Sequence, residues 1–340
     1  MGRAEGITVN PGEAAGSRRR SGLSLIQGGA EPPSWTAPSL EQLTRALDLR
    51  PTGFRRYEAT AADTQWPAFP GAMLVASAVV AAERSLPGVS VGHLSCSFGP
   101  LPRADRPVEV TLSEVHTGKS CATGRLTFRQ RSAVHGEATV LLHSCASAVA
   151  ADRLDGSPRS AGSARPARLR LAAAPPQIPA AASGAGHRHT AAIAEWDLRG
   201  VPDAGESQPA ADSPMWSRVP GVAPDGTLQR ALLAYLSELL PISARRMRYP
   251  SQPGEAGPSA TVLSHAITYG AQFDLEDWLL ATVQSAEPGK GYAHALATFH
   301  TRQGETVATV SQAVAVSERR QAAFLGPAKQ MPASIRYGSQ

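Results

Sequence analysis

The side chains of this 340-residue chain that could act as nucleophiles, bases or metal ligands are few and dispersed. Its three cysteines, Cys96, Cys121 and Cys145, include no CxxC pair. That spacing argues against a disulfide framework and against structural zinc, and no metal or cofactor is implied. Cys96 alternates with its neighbours like a small buried hydrophobe and not like an activated nucleophile. Ser264 and His265 are adjacent, but in an extended segment neighbouring side chains point to opposite faces, so adjacency alone makes no Ser-His dyad. The basic residues fall in short clusters at 18–20, 165–170 and 245–248 without interleaved aromatics. With a net charge of +5 they read as solvated surface, and no nucleic-acid partner is expected.

The elements that must position such residues are interrupted by stretches that cannot fold regularly. Residues 1–37 are rich in Gly, Ala, Ser, Pro and Arg and read as a disordered tail, residues 151–187 as a proline-broken linker, and residues 319–340 as a second tail. Two folded regions remain, 38–150 and 188–318, the second interrupted between Val201 and Pro214. The longest apolar run, Gly71 to Ala82, contains Ser77 and stops at Glu83 and Arg84, short of the roughly 18 residues a membrane span needs. Arg18 to Arg20 precede no apolar stretch, and Glu5, Glu13 and Glu31 argue against a transit peptide. The expectation is a soluble, cytoplasmic protein with no membrane partner.

The two folded regions repeat one another. Gly118-Lys119 and Phe128 match Gly289-Lys290 and Phe299 at a common offset of 171 (289 − 118 and 299 − 128). Leu94-Ser95 parallels Leu263-Ser264, and His135-Gly136-Glu137 parallels Gln303-Gly304-Glu305. Each region also repeats one series of elements. Gly71 to Leu86 is an alanine-rich helix ended by Pro87 and Gly88. Asp225 to Leu240 is its counterpart, with Asp225 as N-cap and Pro241 as stop. After each helix come runs of period two: 108–113, 125–129 and 137–144 in the first half, 278–283, 292–299 and 305–316 in the second. Alternation with one charged face means an antiparallel sheet packed on one side only. One long apolar helix followed by a sheet that can wrap it is the α+β pattern called a hot dog. Its occurrence twice predicts a double hot dog, two long helices each wrapped by an antiparallel sheet, with the sheets joined.

At the level of motifs, residues 40–317 resemble the acyl-CoA thioesterase II family. Pro70-Gly71-Ala72-Met73 stands at the family's Gly-Gly-Gln helix start, and His93 to Pro102 resembles its strand ending in Leu-Arg-Pro-Gly. Trp216-Ser217-Arg218 matches its Trp-x-Arg, Leu232 to Leu240 its Leu-x-x-Tyr-x-Ser-Asp helix, and Phe273 to Leu280 its Phe-x-x-x-Glu-Trp-Leu-Leu strand. The resemblance implies a thioester hydrolase whose Asp, Thr and Gln position water. Carried over, the Asp falls on Ser264 within Leu263-Ser264-His265, the Thr near Ala286 beside Glu287, and the Gln on Gln312. Only Gln312 is retained. His143-Ser144 parallels Ser311-Gln312, and Ser95 stands where the family often carries His.

The candidate catalytic residues are therefore Gln312, Ser264 and His265, and the expected ligand is an acyl thioester of CoA or of a carrier protein. A serine hydroxyl cannot take a proton at neutral pH without a partner, so hydrolysis is expected to be weak or altered. Two alternatives stay open: a non-hydrolytic cyclase, dehydratase or isomerase acting on a polyketide or fatty acyl chain, and a non-catalytic acyl-binding scaffold. A homodimer is open as well.

Overall fold

A computed structural model describes residues 37–62, 68–144, 193–201, 214–248, 259–289 and 291–317. The expected tails and the linker 151–187 lie outside the described residues. Three helices occur among them: α1 (Leu40–Leu47), α2 (Gly71–Ser85) and α3 (Gly226–Arg248). Twelve strands follow in chain order. The first half carries β1 (Arg50–Gly53), β2 (Arg56–Ala59), β3 (Val89–Phe98), β4 (Val108–Thr117), β5 (Cys121–Gln130) and β6 (Ala133–Ser144). The second carries β7 (Asp197–Gly200), β8 (Met215–Arg218), β9 (Ser259–Tyr269), β10 (Leu279–Gly289), β11 (Tyr292–His300) and β12 (Thr306–Ser317).

All twelve strands form one antiparallel sheet in the order β1-β2-β4-β5-β6-β3-β9-β12-β11-β10-β8-β7. Exchanging each strand for its counterpart six places later returns the same order from the other edge. The halves join where β3 pairs β9, with Cys96 opposite His265 and Leu94 opposite Ile267. This is the double hot dog expected from the two helix-and-strand series.

Alternation decides which face packs. Along β5, Ala122, Leu126 and Phe128 are buried while Arg125 and Arg129 are exposed. α2 is buried at every position from Ala72 to Glu83, because it fills the concave side of the sheet and packs along α3. Outside that core, the Trp-x-Arg segment has a visible role: the Arg199 and Arg218 guanidinium groups lie 4.8 and 4.5 Å from the Trp278 ring, and both pair with Asp197.

Two expectations need correction. Asp225 does cap α3, its Oδ1 accepting the Leu228 N–H at 2.9 Å, but Pro241 does not stop the helix, which runs on to Arg248. Proline removes the bond to the Ser237 carbonyl without forbidding helical backbone beyond it. The His-Gly-Glu parallel also conceals two different glycines. Gly304 turns the β11–β12 hairpin at φ +85°, whereas Gly136 lies inside β6, where a Cβ would come within 2.8 Å of the Ser97 carbonyl.

Two carboxylates punctuate this helix pair. Glu83 stands 12 residues after Gly71 (83 − 71), and Glu238 stands 12 after Gly226 (238 − 226). Because the helices run antiparallel, each glutamate meets the start of the other helix. Glu83 takes both Arg230 nitrogens at 2.6 and 2.7 Å, the Thr227 hydroxyl at 2.6 Å and the Val91 N–H at 2.8 Å. Removing the guanidinium would leave a buried charge without compensation. Arg230→Ala should therefore cost about 3–5 kcal/mol in urea unfolding, and the double change Glu83→Gln with Arg230→Met should recover most of it. Equal losses in the single and double variants would contradict this.

Candidate active site

One inward-facing row of residues crosses the join between the halves. Reading across β11, β12, β9, β3, β6 and β5, it contains Ala295, Gln312, His265, Cys96, Ala138 and Leu126, each directly opposite the next. All six are buried, with Gln312, His265 and Cys96 fully inaccessible. α3 lies over this row. The Gln312 Nε2 donates to the Glu238 main-chain oxygen at 2.7 Å, and the Ser237 hydroxyl is 3.2 Å from His265 Nε2.

The Ser237 hydroxyl also lies 2.9 Å from the Ala234 carbonyl; with its one proton on that carbonyl, His265 donates from Nε2 and carries its lone pair on Nδ1. Among the described residues neither Nδ1 nor the Gln312 Oε1 has a hydrogen-bond partner, although both are buried. Burial pushes the His265 pKa down to about 3. The ring is neutral at physiological pH and acts as a hydrogen-bonding group, not as a reservoir of charge.

Glu238, which the sequence reading passed over, is the ionisable group of this region. It is 4% exposed, and its carboxylate has no hydrogen-bond or ion-pair partner among the described residues. Desolvation alone raises its pKa to about 7. The carboxylate faces the start of α2 so closely that a Cβ on Gly71 would lie 2.8 Å from Oε1. The helix start it faces is uncapped, since Pro70 offers no side-chain acceptor to the first amides. Gln130 helps to hold that helix start. Its amide clamps the Arg103 N–H and carbonyl at 3.0 and 2.9 Å, and the loop so held pairs with Ala68 and accepts the Phe69 N–H at Pro102. Tyr235 and Cys96 lie near enough that burial first and the Glu238 charge second push both of their pKa values up. Cys96 is accordingly a neutral thiol.

Of the residues expected from the sequence, Gln312 and His265 are brought together and Ser264 is not. Ser264 pairs Ala313 and Ser97 in the adjacent row, on the opposite side of the strand from His265. The register thus separates Ser264 from Gln312 and His265, with which the sequence grouped it as a candidate catalytic residue. The side chains of Ala286 and Glu287 lie outside the described residues. His143 sits opposite Ser90 and Cys121, away from the inner row. In register, the first-half pair matching His265 and Gln312 is Leu94 and Val140, offset by 171 and 172 residues (265 − 94 and 312 − 140). The polar site therefore exists in one half only. The missed signals were the Gly-to-Glu spacing common to both helices and the acidic position of the Leu-x-x-Tyr-x-Ser-Asp resemblance, which falls on Glu238.

Residues 155–316 match the family model of the acyl-CoA thioesterase C-terminal domain. No curated protein sequence matches the chain. Among solved structures, an acyl-CoA thioesterase II, TesB2, from Mycobacterium marinum is similar at 22% identity and a TM-score of 0.63, over 82% of this chain and 99% of that one. A tesB protein of Mycobacterium avium subsp. paratuberculosis gives 22% and 0.60 over the same shares. A hot dog protein of unknown function from Alicyclobacillus acidocaldarius gives 18% and 0.59, over 82% and 98%. At these identities the structures share the fold.

A carboxyl group with a pKa raised from 4.5 to about 7 makes a testable contribution to stability. Its share is fully present below pH 4.5 and is lost as pH rises through about 7, since the unfolded chain releases the proton first. Relative to Glu238→Gln, the wild type should lose about 3 kcal/mol of unfolding free energy between pH 4 and pH 8. Parallel pH profiles for the two proteins would contradict the assignment.

Proposed function

We propose, for a chain whose residues 155–316 belong to the acyl-CoA thioesterase C-terminal domain family and whose described residues form a double hot dog, that it binds acyl thioesters of CoA or a carrier protein and cleaves them slowly. The supporting observation is the inner site itself. A buried glutamine with a free amide oxygen and a neutral histidine lie beneath α3, near the uncapped start of α2. In such a site the acyl chain lies between helix and sheet along the apolar inner face. The thioester carbonyl oxygen meets the first amides of α2, whose partial positive charge stabilises a developing oxyanion. Gln312 orients the water and fixes the α3 backbone at Glu238.

Slow cleavage follows from the residues at the positions that the family resemblance implies. Ser264 and Ala286 stand where an aspartate and a threonine would position the attacking water, and a reacting group displaced by about 1 Å costs on the order of 10²-fold. No helix among the described residues is long and apolar enough to cross a membrane, and the proposed ligand is an acyl thioester presented from solution.

The test is thiol release from acyl-CoA of graded chain length, together with binding of the matching non-cleavable thioethers. Saturable thioether binding with slow thiol release is expected. Gln312→Ala should lower release at least tenfold while binding persists. Rapid turnover indifferent to Gln312→Ala would contradict the reading, as would failure to bind any thioether.

A further inference from the structure

Resting on the reading of this protein as an acyl-thioester-binding hot dog, we propose that Glu238 is the general base of the cleavage, a carboxylate supplied by α3 to a site that Ser264 does not reach. The first support is the pairing of a buried, unpartnered side chain with an uncapped helix start. The Glu238 carboxylate faces Gly71, where the absence of a Cβ leaves room for Oε1, and Pro70 offers no side-chain acceptor to the start of α2, its carbonyl taking the Met73 and Leu74 N–H groups and leaving those of Gly71 and Ala72. An acidic group and the open start of a helix thus lie side by side, and a base beside backbone donors is what adding water to a carbonyl requires.

The second support is the comparison that the chain makes with itself. Glu83 is the counterpart of Glu238, 155 residues earlier (238 − 83), and faces α3 as Glu238 faces α2. In that half, Arg230 and Thr227 fill the space between carboxylate and helix start and neutralise it. The residues at the matching positions of α2, again 155 earlier (230 − 75 and 227 − 72), are Val75 and Ala72, which can do neither. One carboxylate is consumed by the chain's own side chains, and the other is left to a ligand.

The third support is how the group is held. Gln312 fixes the main chain at Glu238 itself, and Ser237 beside it contacts His265, so two strands position the residue that carries the base. Among the described residues the titratable groups around it are Tyr235 on its own helix, Cys96 on β3 and His265 on β9, and all three are neutral at pH 7. In the step, the water oxygen bonds to the thioester carbonyl carbon and its proton passes to a Glu238 oxygen. The carbonyl π pair moves onto oxygen at the α2 amides. Its return breaks the C–S bond, and the departing sulfur takes the proton back from Glu238, giving acid and thiol.

The experiment compares wild type, Glu238→Gln and Glu238→Asp in thioether binding and in thiol release from pH 5 to 9. Wild-type release is expected to rise with pH and level off above about 7. Glu238→Gln should bind thioether as the wild type does but lose release on the order of 10²-fold, together with the inflection. Glu238→Asp should keep the inflection at an intermediate rate. If Glu238→Gln binds and cleaves with the wild-type rate and profile, the proposal is overturned while the acyl-thioester reading stands. Binding with no thiol release from the wild type also overturns it, and absence of thioether binding overturns both.

Discussion

A carboxylate taken out of water must be neutralised by a cation or must give up its charge. This protein places two glutamates where that choice is unavoidable, one at the thirteenth residue of each helix in an antiparallel pair, and it resolves them in opposite ways. Glu83 is met by a bidentate arginine, a hydroxyl and a backbone N–H. Glu238 is met by none of these among the described residues, and its proton affinity rises until it titrates near neutrality. The first arrangement ties α2, α3 and β3 together. The second keeps an ionisable group in a region that is otherwise uncharged.

The sheet makes this contrast meaningful, because its strand order is the same from either edge and so supplies two equivalent environments. Within that symmetry the side chains have diverged. His265 and Gln312 replace the apolar pair Leu94 and Val140, while Arg230 and Thr227 replace Val75 and Ala72. One end of the helix pair has become cement and the other has become polar and under-satisfied. Buried Gln312 Oε1 and His265 Nδ1 without partners among the described residues are costly to the folded state, and a cost of that kind is expected where a ligand completes the hydrogen bonds.

Much of this architecture was legible in the sequence. The 171-residue repeat, the helix from Gly71 and the alternation of Leu126 and Phe128 with Arg125 and Arg129 follow from local patterning, and the structure has them. Gln312 and His265 came from motif resemblance, and they do lie side by side. Ser264 shows why the rest was hidden: which face a strand residue takes depends on its pairing with β12 and β3, and a one-residue step reverses it. Glu238 was hidden for a different reason. A single acid in a helix ordinarily faces solvent, and only antiparallel packing of α3 on α2 brings it against Gly71.

The protonation of Glu238 is the point on which the chemistry depends, and it can be followed at the atom itself. A ¹³C titration of the glutamate side-chain carboxyl resonances, with Glu238→Gln used to assign the signal, should show one carboxyl with a midpoint near 7. A Glu238 signal that titrates near the ordinary 4.5 of a solvated glutamate would mean that the carboxylate is paired or hydrated in the folded protein and does not hold a proton for catalysis.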